Sequence, residues 1–223
     1  MKIACIPDTH FPFSDRMAVG LMYETVKRFK PDVIVQLGDL YDLWSFSRYP
    51  RNASEIQMTP EQEYQLGRSD AEQMWAVLKK ENPKARLVQI CDANHDLRLV
   101  KRMMENDSNG AFIAKQWLVN AMTFPGVELA RSETVIDGIM FMHGMRKAGE
   151  HAKYNQMSTV TGHTHKCRLE TFTNVNGPYW EMNCGWLCNG DSPAFSYRSQ
   201  TRICNNVHAV GLIENGQPRF HLL

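Results

Sequence analysis

The chain has 223 residues, 43% of them hydrophobic and 22% charged, a balance that excludes an intrinsically disordered chain and suffices for a buried core without disulfides or structural metal. Lys plus Arg number 25 against 24 for Asp plus Glu, so the net charge of +1 excludes a general polyanion sponge and leaves room only for local basic patches. No apolar run reaches the roughly 18–20 residues that span a bilayer, and Asp8 interrupts the N-terminal apolar stretch too early for a signal peptide, so a cytoplasmic protein with no membrane partner is expected.

Lys2–Pro7 is a short apolar run ended by turn-prone residues and predicts a buried strand. Met17, Leu21, Met22, Val26 and Phe29 share one face of a helix over Met17–Phe29, which Pro31 stops. A second, β-branched strand follows at Val33–Leu37, bounded by Gly38. Thr59 reads as a cap, Pro60 as the first helical residue and Glu61 to Glu63 as an acidic first turn, for a helix reaching Lys80 with Pro83 beyond its end. Arg86–Cys91 predicts a third strand, and alternating strands and helices imply βαβ units. The second half changes to hairpins. Thr134–Ile136 and Ile139–Met142 flank Asp137-Gly138, Arg168–Thr173 and Tyr179–Cys184 flank the turn from Asn174 to Gly177, and Val207–Ile213 and Pro218–His221 flank Asn215-Gly216. With no repeat and no linker, residues 1–223 read as a single α/β domain.

Six cysteines without a signal peptide are expected as free thiols, with Cys5 and Cys91 packed as small core hydrophobes. The spacings Cys184-x3-Cys188 and Cys204-x3-His208 suit a zinc site only weakly, and buried strand thiols are expected instead. Trp180 and Trp186 read as core or sheet-face residues, and the methionines as adaptable core filling.

The chemistry sits where predicted strands end. The strands lead into Asp8-Thr9-His10, Gly38-Asp39-Leu40-Tyr41-Asp42, Asn94-His95-Asp96, His143-Gly144 and Gly162-His163-Thr164-His165. In an open α/β sheet the carboxyl ends of strands are where ligands bind. One such His or Asp is ordinarily structural; this many at matching positions imply one convergent cluster.

Asp8-x-His10, Gly38-Asp39-x-x-Asp42, Asn94-His95-Asp96, His143 and Gly162-His163-x-His165 together resemble the five motifs of the calcineurin-like metallophosphoesterase superfamily, in order, over about 160 residues. The resemblance implies a two-sheet β-sandwich flanked by helices and two divalent metal ions. Asp8, His10 and His165 would hold one ion, Asn94, His143 and His163 the other, and Asp39 would bridge them. Mixed N and O donors suit Mn²⁺, Fe, Zn²⁺ or Ni²⁺, with Mn²⁺ the expected choice. The implied chemistry is phosphoester hydrolysis, in which hydroxide generated between the metals attacks phosphorus and His95 protonates the leaving group. Asp42 or Asp96 would orient His95, Asp42 being favoured; Asp96 has an equal claim as cap of a helix starting near Leu97. Ala93 stands where the family has Gly, which implies an altered or strained backbone there.

Beyond Asp42, Trp44, Phe46, Arg48, Tyr49 and Arg51 lie on one stretch, the stacking faces and cations that a nucleotide or single strand would need. Arg98, Lys101 and Arg102 could extend that edge, although a solvated helix face is the simpler expectation. A phosphodiesterase acting on a nucleotide or nucleic acid is therefore expected. The alternatives are a phosphomonoesterase, disfavoured for phosphoproteins because Leu43 replaces the Arg of the protein phosphatase branch, and a scaffold such as the retromer subunit of this fold.

Overall fold

The computed structural model describes residues 1–48, 58–105, 107–195 and 206–223. Tyr49, Arg51 and Cys204 lie outside the described residues.

Four parallel strands, β1 (Lys2–Ile6), β2 (Val33–Gln36), β3 (Arg86–Ile90) and β4 (Glu128–Ala130), form most of a first sheet. The antiparallel β10 (Ala209–Glu214) and β11 (Gln217–Leu222) complete it in the order β11-β10-β1-β2-β3-β4. The second sheet holds β5 (Glu133–Ile136), β6 (Ile139–Met142), β7 (Thr159–Thr161), β8 (Cys167–Asn174) and β9 (Gly177–Cys184), in the order β5-β6-β7-β9-β8. The hairpins β5–β6 and β10–β11 turn at Asp137-Gly138 (φ 52° and 73°) and Asn215-Gly216 (φ 51° and 77°), the left-handed pairs that match strand twist.

Side chains alternate across each strand, and the first sheet is covered on both faces. Ile3, Cys5, Val33, Val35, Val88 and Ile90 face the second sheet, where Ile136, Phe141, Val160 and Met182 meet them. Ala4, Ile6, Ile34 and Leu87 face the helices α1 (Arg16–Phe29), α2 (Pro60–Glu81) and α4 (Ser108–Ala121), through Met22, Val26, Met74, Leu78 and Leu118. Helix α1 starts where the Asp15 carboxylate accepts the amides of Met17 and Ala18, and ends at Lys30 in the left-handed region. Helix α2 starts with a reciprocal capping box between Thr59 and Gln62, with Pro60 in its first turn. Two short helices, α3 (Arg98–Met104) and α5 (His151–Asn155), follow β3 and β6. No helix among the described residues is long and apolar enough to cross a membrane. Cys5, Cys91, Cys184 and Cys188 are buried and form no disulfide among the described residues.

One buried ionic contact fixes the segment between β6 and β7. The Glu181 carboxylate on β9 accepts the amides of Gly149 and Ala152 at 2.6 and 2.8 Å and lies 3.3 Å from His151 Nδ1. His151 Nε2 accepts the amides of Met145 and Arg146 at 3.2 and 3.0 Å, so the ring proton sits on Nδ1 and points at Glu181. Burial raises the Glu181 pKa, but the hydrogen bonds from His151, Ala152 and Gly149 outweigh it and hold the group down at about 2. A carboxylate with a depressed folded pKa stabilises the fold above its unfolded value of 4.5 and loses that contribution as pH falls towards about 2. Glu181→Gln is therefore expected to lower the urea midpoint at neutral pH and to flatten its fall between those two pH values. A variant whose acid profile parallels the parent's would refute this assignment.

Candidate metal centre

Every expected ligand sits at or just past a strand end on the same edge of the two sheets. Asp8 and His10 follow β1, Asp39 and Asp42 follow β2, Asn94 and His95 follow β3, His143 follows β6, and His163 and His165 follow β7. The turns that aim them are unusual. His10, Asp39, His163 and His165 adopt φ of 47°, 48°, 65° and 59°, a left-handed conformation that costs a non-glycine residue about 1 kcal/mol or more and concentrates at functional sites. Ala93 is not among the left-handed residues; Asp92 takes that conformation with φ 63°. The strain expected at Ala93 is thus displaced by one residue, and the Ala93 methyl packs against the space beside Gly38.

Two groups of donors share Asp39. Asp8, His10, Asp39 and His165 bring one ligand atom each within 4.8 Å of one another, and so do Asp39, His143 and His163. Asn94 Oδ1 joins the second group, 2.8 Å from His143 Nε2 and 2.7 Å from His163 Nδ1. His165 Nε2 lies 3.0 Å from Asp8 Oδ2. His143 Nδ1 donates to the Leu37 carbonyl at 3.0 Å, which leaves Nε2 as the coordinating nitrogen. His10 Nδ1 likewise donates to Asp42 Oδ2 at 2.8 Å. The atoms left over, His10 Nε2 and Asp39 Oδ2, are buried 3.6 Å apart without a well-aligned hydrogen bond, although His143 Nε2 approaches Asp39 Oδ2 at 3.2 Å. Such orphaned donors are costly unless a cation satisfies them, so these residues fit a metal.

The electrostatics agree. Burial raises Asp8 and Asp39, yet neighbouring histidines hold both carboxyls below the usual range, Asp39 well below it. Burial and the nearby His95 push His10 down to about 4, so its ring is neutral at neutral pH, as a ligand must be. Burial opposes protonation of His143, but Asp39 and Asp8 raise it to about 9, so without metal its ring carries a proton that a cation bound there would displace.

His95 stands beside the metal groups with Nδ1 3.1 Å from Asp42 Oδ2, and its amide donates to Asp39 Oδ1 at 2.9 Å. Asp42 is thus the carboxylate beside His95. Asp96 neither touches that ring nor caps α3, whose cap is Leu97; it accepts the Tyr41 amide at 3.0 Å in a fully buried position. Burial and the charge on Asp39 raise its pKa well above the usual range. Its place corrects both expectations: the carboxyl braces the turn that carries Asp39 and Asp42.

The expected substrate stretch divides. Trp44 is buried against Trp186, Cys188, Ala194 and Phe195, in a 3-10 turn whose Trp44 and Ser45 amides donate to the Glu63 carboxylate at 2.5 and 2.8 Å. A ring held there cannot stack on a ligand, which corrects the expectation for Trp44. Phe46 and Arg48 line a cleft of about 400 Å³ that opens beside Asn94, His95, His163 and His165, with Arg98 and Lys101 also in its lining.

Sequence reasoning missed the roles of several site residues. Arg98 is mostly buried and donates to Asp42 Oδ1 at 2.5 Å and to the Asp42 carbonyl at 2.9 Å, so it is no solvated helix cation. Trp186, expected as a core residue, packs in a core cluster and stacks on His165 with ring centres 4.8 Å apart. Gly162 gives Asp8 its place: a methyl group there would lie 2.1 Å from Asp8 Oδ1. Gly162→Ala is expected to displace that carboxylate and cut metal affinity by at least about tenfold, measured as metal content after dialysis. Full metal retention would contradict the contact.

The model of the calcineurin-like phosphoesterase family matches residues 1–205. The chain is 27% identical to the Gene 54 protein of Mycobacterium phage L5 and 28% identical to that of Mycobacterium phage D29, each over 211 residues that cover 84% of this chain and 80% of the relative. Among solved structures it is similar to Yfce, a phosphoesterase from E. coli, at 16% identity and a TM-score of 0.41, covering 96% of this chain and 89% of that one. It is also similar to Chaetomium thermophilum Vps29, at 14% identity and a TM-score of 0.46, covering 100% and 94%.

Proposed function

The chain belongs to the calcineurin-like phosphoesterase family, and on that premise we propose that it is a phosphodiesterase that cleaves a nucleotide or nucleic-acid ester at a centre for two divalent cations. The observation that carries this reading is the single carboxylate Asp39 standing in both donor groups, with one oxygen buried between His10 and His143. Asp8, His10 and His165 would complete one cation site and Asn94, His143 and His163 the other, with Mn²⁺ the expected ion. Bound there, the cations supply Lewis-acid stabilisation of phosphoryl oxygens and lower the pKa of water.

The protein's own groups do the rest. His95 lines the cleft beside both donor groups, and in this reading it gives the departing oxygen of an ester held there its proton. Asp42 accepts from Nδ1, so the proton to be transferred is the one on Nε2. Arg98, a donor only, lies 3.3 Å from that nitrogen and turns aside when Nε2 carries the proton. Arg98 also balances Asp42, which burial pushes up but His95 and Arg98 hold below the usual carboxylate range. Leu43, buried in the turn after Asp42, leaves no cation at the position where the protein phosphatase branch has one, which favours the diester over a phosphoprotein.

The test is hydrolysis of bis-p-nitrophenyl phosphate against p-nitrophenyl phosphate with Mn²⁺. A preference for the diester is expected. A monoester preference would make the protein a phosphatase, and no turnover of either with metal bound would leave a narrow natural substrate or a scaffold.

A further inference from the structure

Three cations line the cleft together with Asp39, Asn94 and His95, and their partners differ. Arg98 is spent on Asp42, 2.5 Å away. Arg48 is paired with Glu105. Lys101 lies one helical turn beyond Arg98 on α3, at the i,i+3 spacing that puts two side chains on one face. Its natural helical partner would be Glu105 at i+4, but that carboxylate is taken by Arg48 and approached by Arg102 at 3.6 Å. Lys101 therefore forms no ion pair among the described residues, and it borders the same cleft as His95 and Asp39. Phe46 adds an aromatic side chain to the rim.

We infer that Lys101 binds a second phosphoryl group of the substrate, the one next to the scissile phosphoryl along a nucleotide chain, and so sets a preference for esters with two neighbouring phosphates. The inference rests on the phosphodiesterase reading and narrows it. An ammonium is a compact point charge with three donors, suited to a phosphate that arrives in varied orientations. The cleft, at about 400 Å³, falls in the range of small-ligand sites.

Two esters that differ by one phosphate isolate the effect: thymidine 5′-(p-nitrophenyl phosphate) and its 3′-phosphorylated form. For the unaltered enzyme, kcat/KM is expected to favour the bisphosphate ester by about tenfold, the usual worth of a hydrogen bond to a charged group. Lys101→Ala should bring that ratio close to unity, and Lys101→Arg should restore most of it. A binding measurement runs in parallel: calorimetry of thymidine 3′,5′-bisphosphate against thymidine 5′-phosphate on the metal-loaded protein, with the same loss of preference expected in Lys101→Ala. Turnover of the simple ester with no gain from the added phosphate would overturn the inference alone. A gain that survives Lys101→Ala would overturn it too, by assigning the second phosphate to another group. If neither ester is cleaved and neither nucleotide binds, the phosphodiesterase reading falls along with it.

Discussion

Asp39→Asn is expected to strip tightly bound divalent cation from the protein and to lower phosphoester hydrolysis by about 10³-fold or more, beyond the 10–100-fold typical of losing an outer partner of a ligand. The effect is large because one side chain serves both donor groups. Asp39 Oδ2 lies 3.6 Å from His10 Nε2 and 3.2 Å from His143 Nε2, while Oδ1 accepts the His95 amide at 2.9 Å. An amide there removes one negative charge from each group and turns a donor N–H towards positions that need lone pairs. The fold should tolerate the change. Asn accepts the left-handed backbone that Asp39 adopts at φ 48°, although the pairing with His143 that holds Asp39 well below the usual carboxylate range is lost. The metal-free variant should thus remain folded but melt below the metal-free parent, while its metal content and its turnover of bis-p-nitrophenyl phosphate collapse together. A variant that keeps its metal and merely loses stability would remove Asp39 from its bridging place.

The parts of this site that were legible in the sequence are those where backbone physics leaves a local mark. A parallel strand covered on both faces is a continuous apolar run, so Ile3 to Ile6 or Val33 to Leu37 announces itself, and the first polar residues beyond it mark the strand's carboxyl end. Asp137-Gly138 and Asn215-Gly216 were equally plain because few other pairs adopt two positive φ angles in succession. Strand β4 is three residues long and had no such mark. Helix α4 opens on Asp107-Ser108-Asn109-Gly110, a composition typical of turns; the Asp107 carboxylate nevertheless caps the helix by accepting the amides of Asn109 and Gly110. Long-range partners were the least legible. That Arg98 would reach back 56 positions to Asp42, or that Glu63 on α2 would pull the Trp44 turn inward, depends on how the helices dock and on no local pattern. Asp96 shows the same limit from the other side. Its place in the motif suggested catalysis or capping, and tertiary packing gave it the Tyr41 amide.

His95→Asn should lower kcat by about 10²–10⁴-fold on a substrate whose leaving group is a poor one, such as a nucleoside alkoxide, the range expected for loss of a general acid. On bis-p-nitrophenyl phosphate, whose leaving phenolate is stable near neutral pH, the loss should be about tenfold or less. Asn is the informative replacement because its amide can still donate to Asp42 Oδ2, which the His95 Nδ1 approaches at 3.1 Å, while nothing replaces Nε2. The backbone bond from residue 95 to Asp39 Oδ1 is untouched, and the side chain belongs to neither donor group that contains Asp39, so the metal content should hold. The contrast between leaving groups is the decisive reading. A group that positions the substrate matters equally for both esters, whereas a proton donor matters in proportion to the basicity of the departing oxygen. Equal losses on the two substrates, with metal retained, would therefore recast His95 as a positioning residue and leave protonation of the leaving oxygen to another donor.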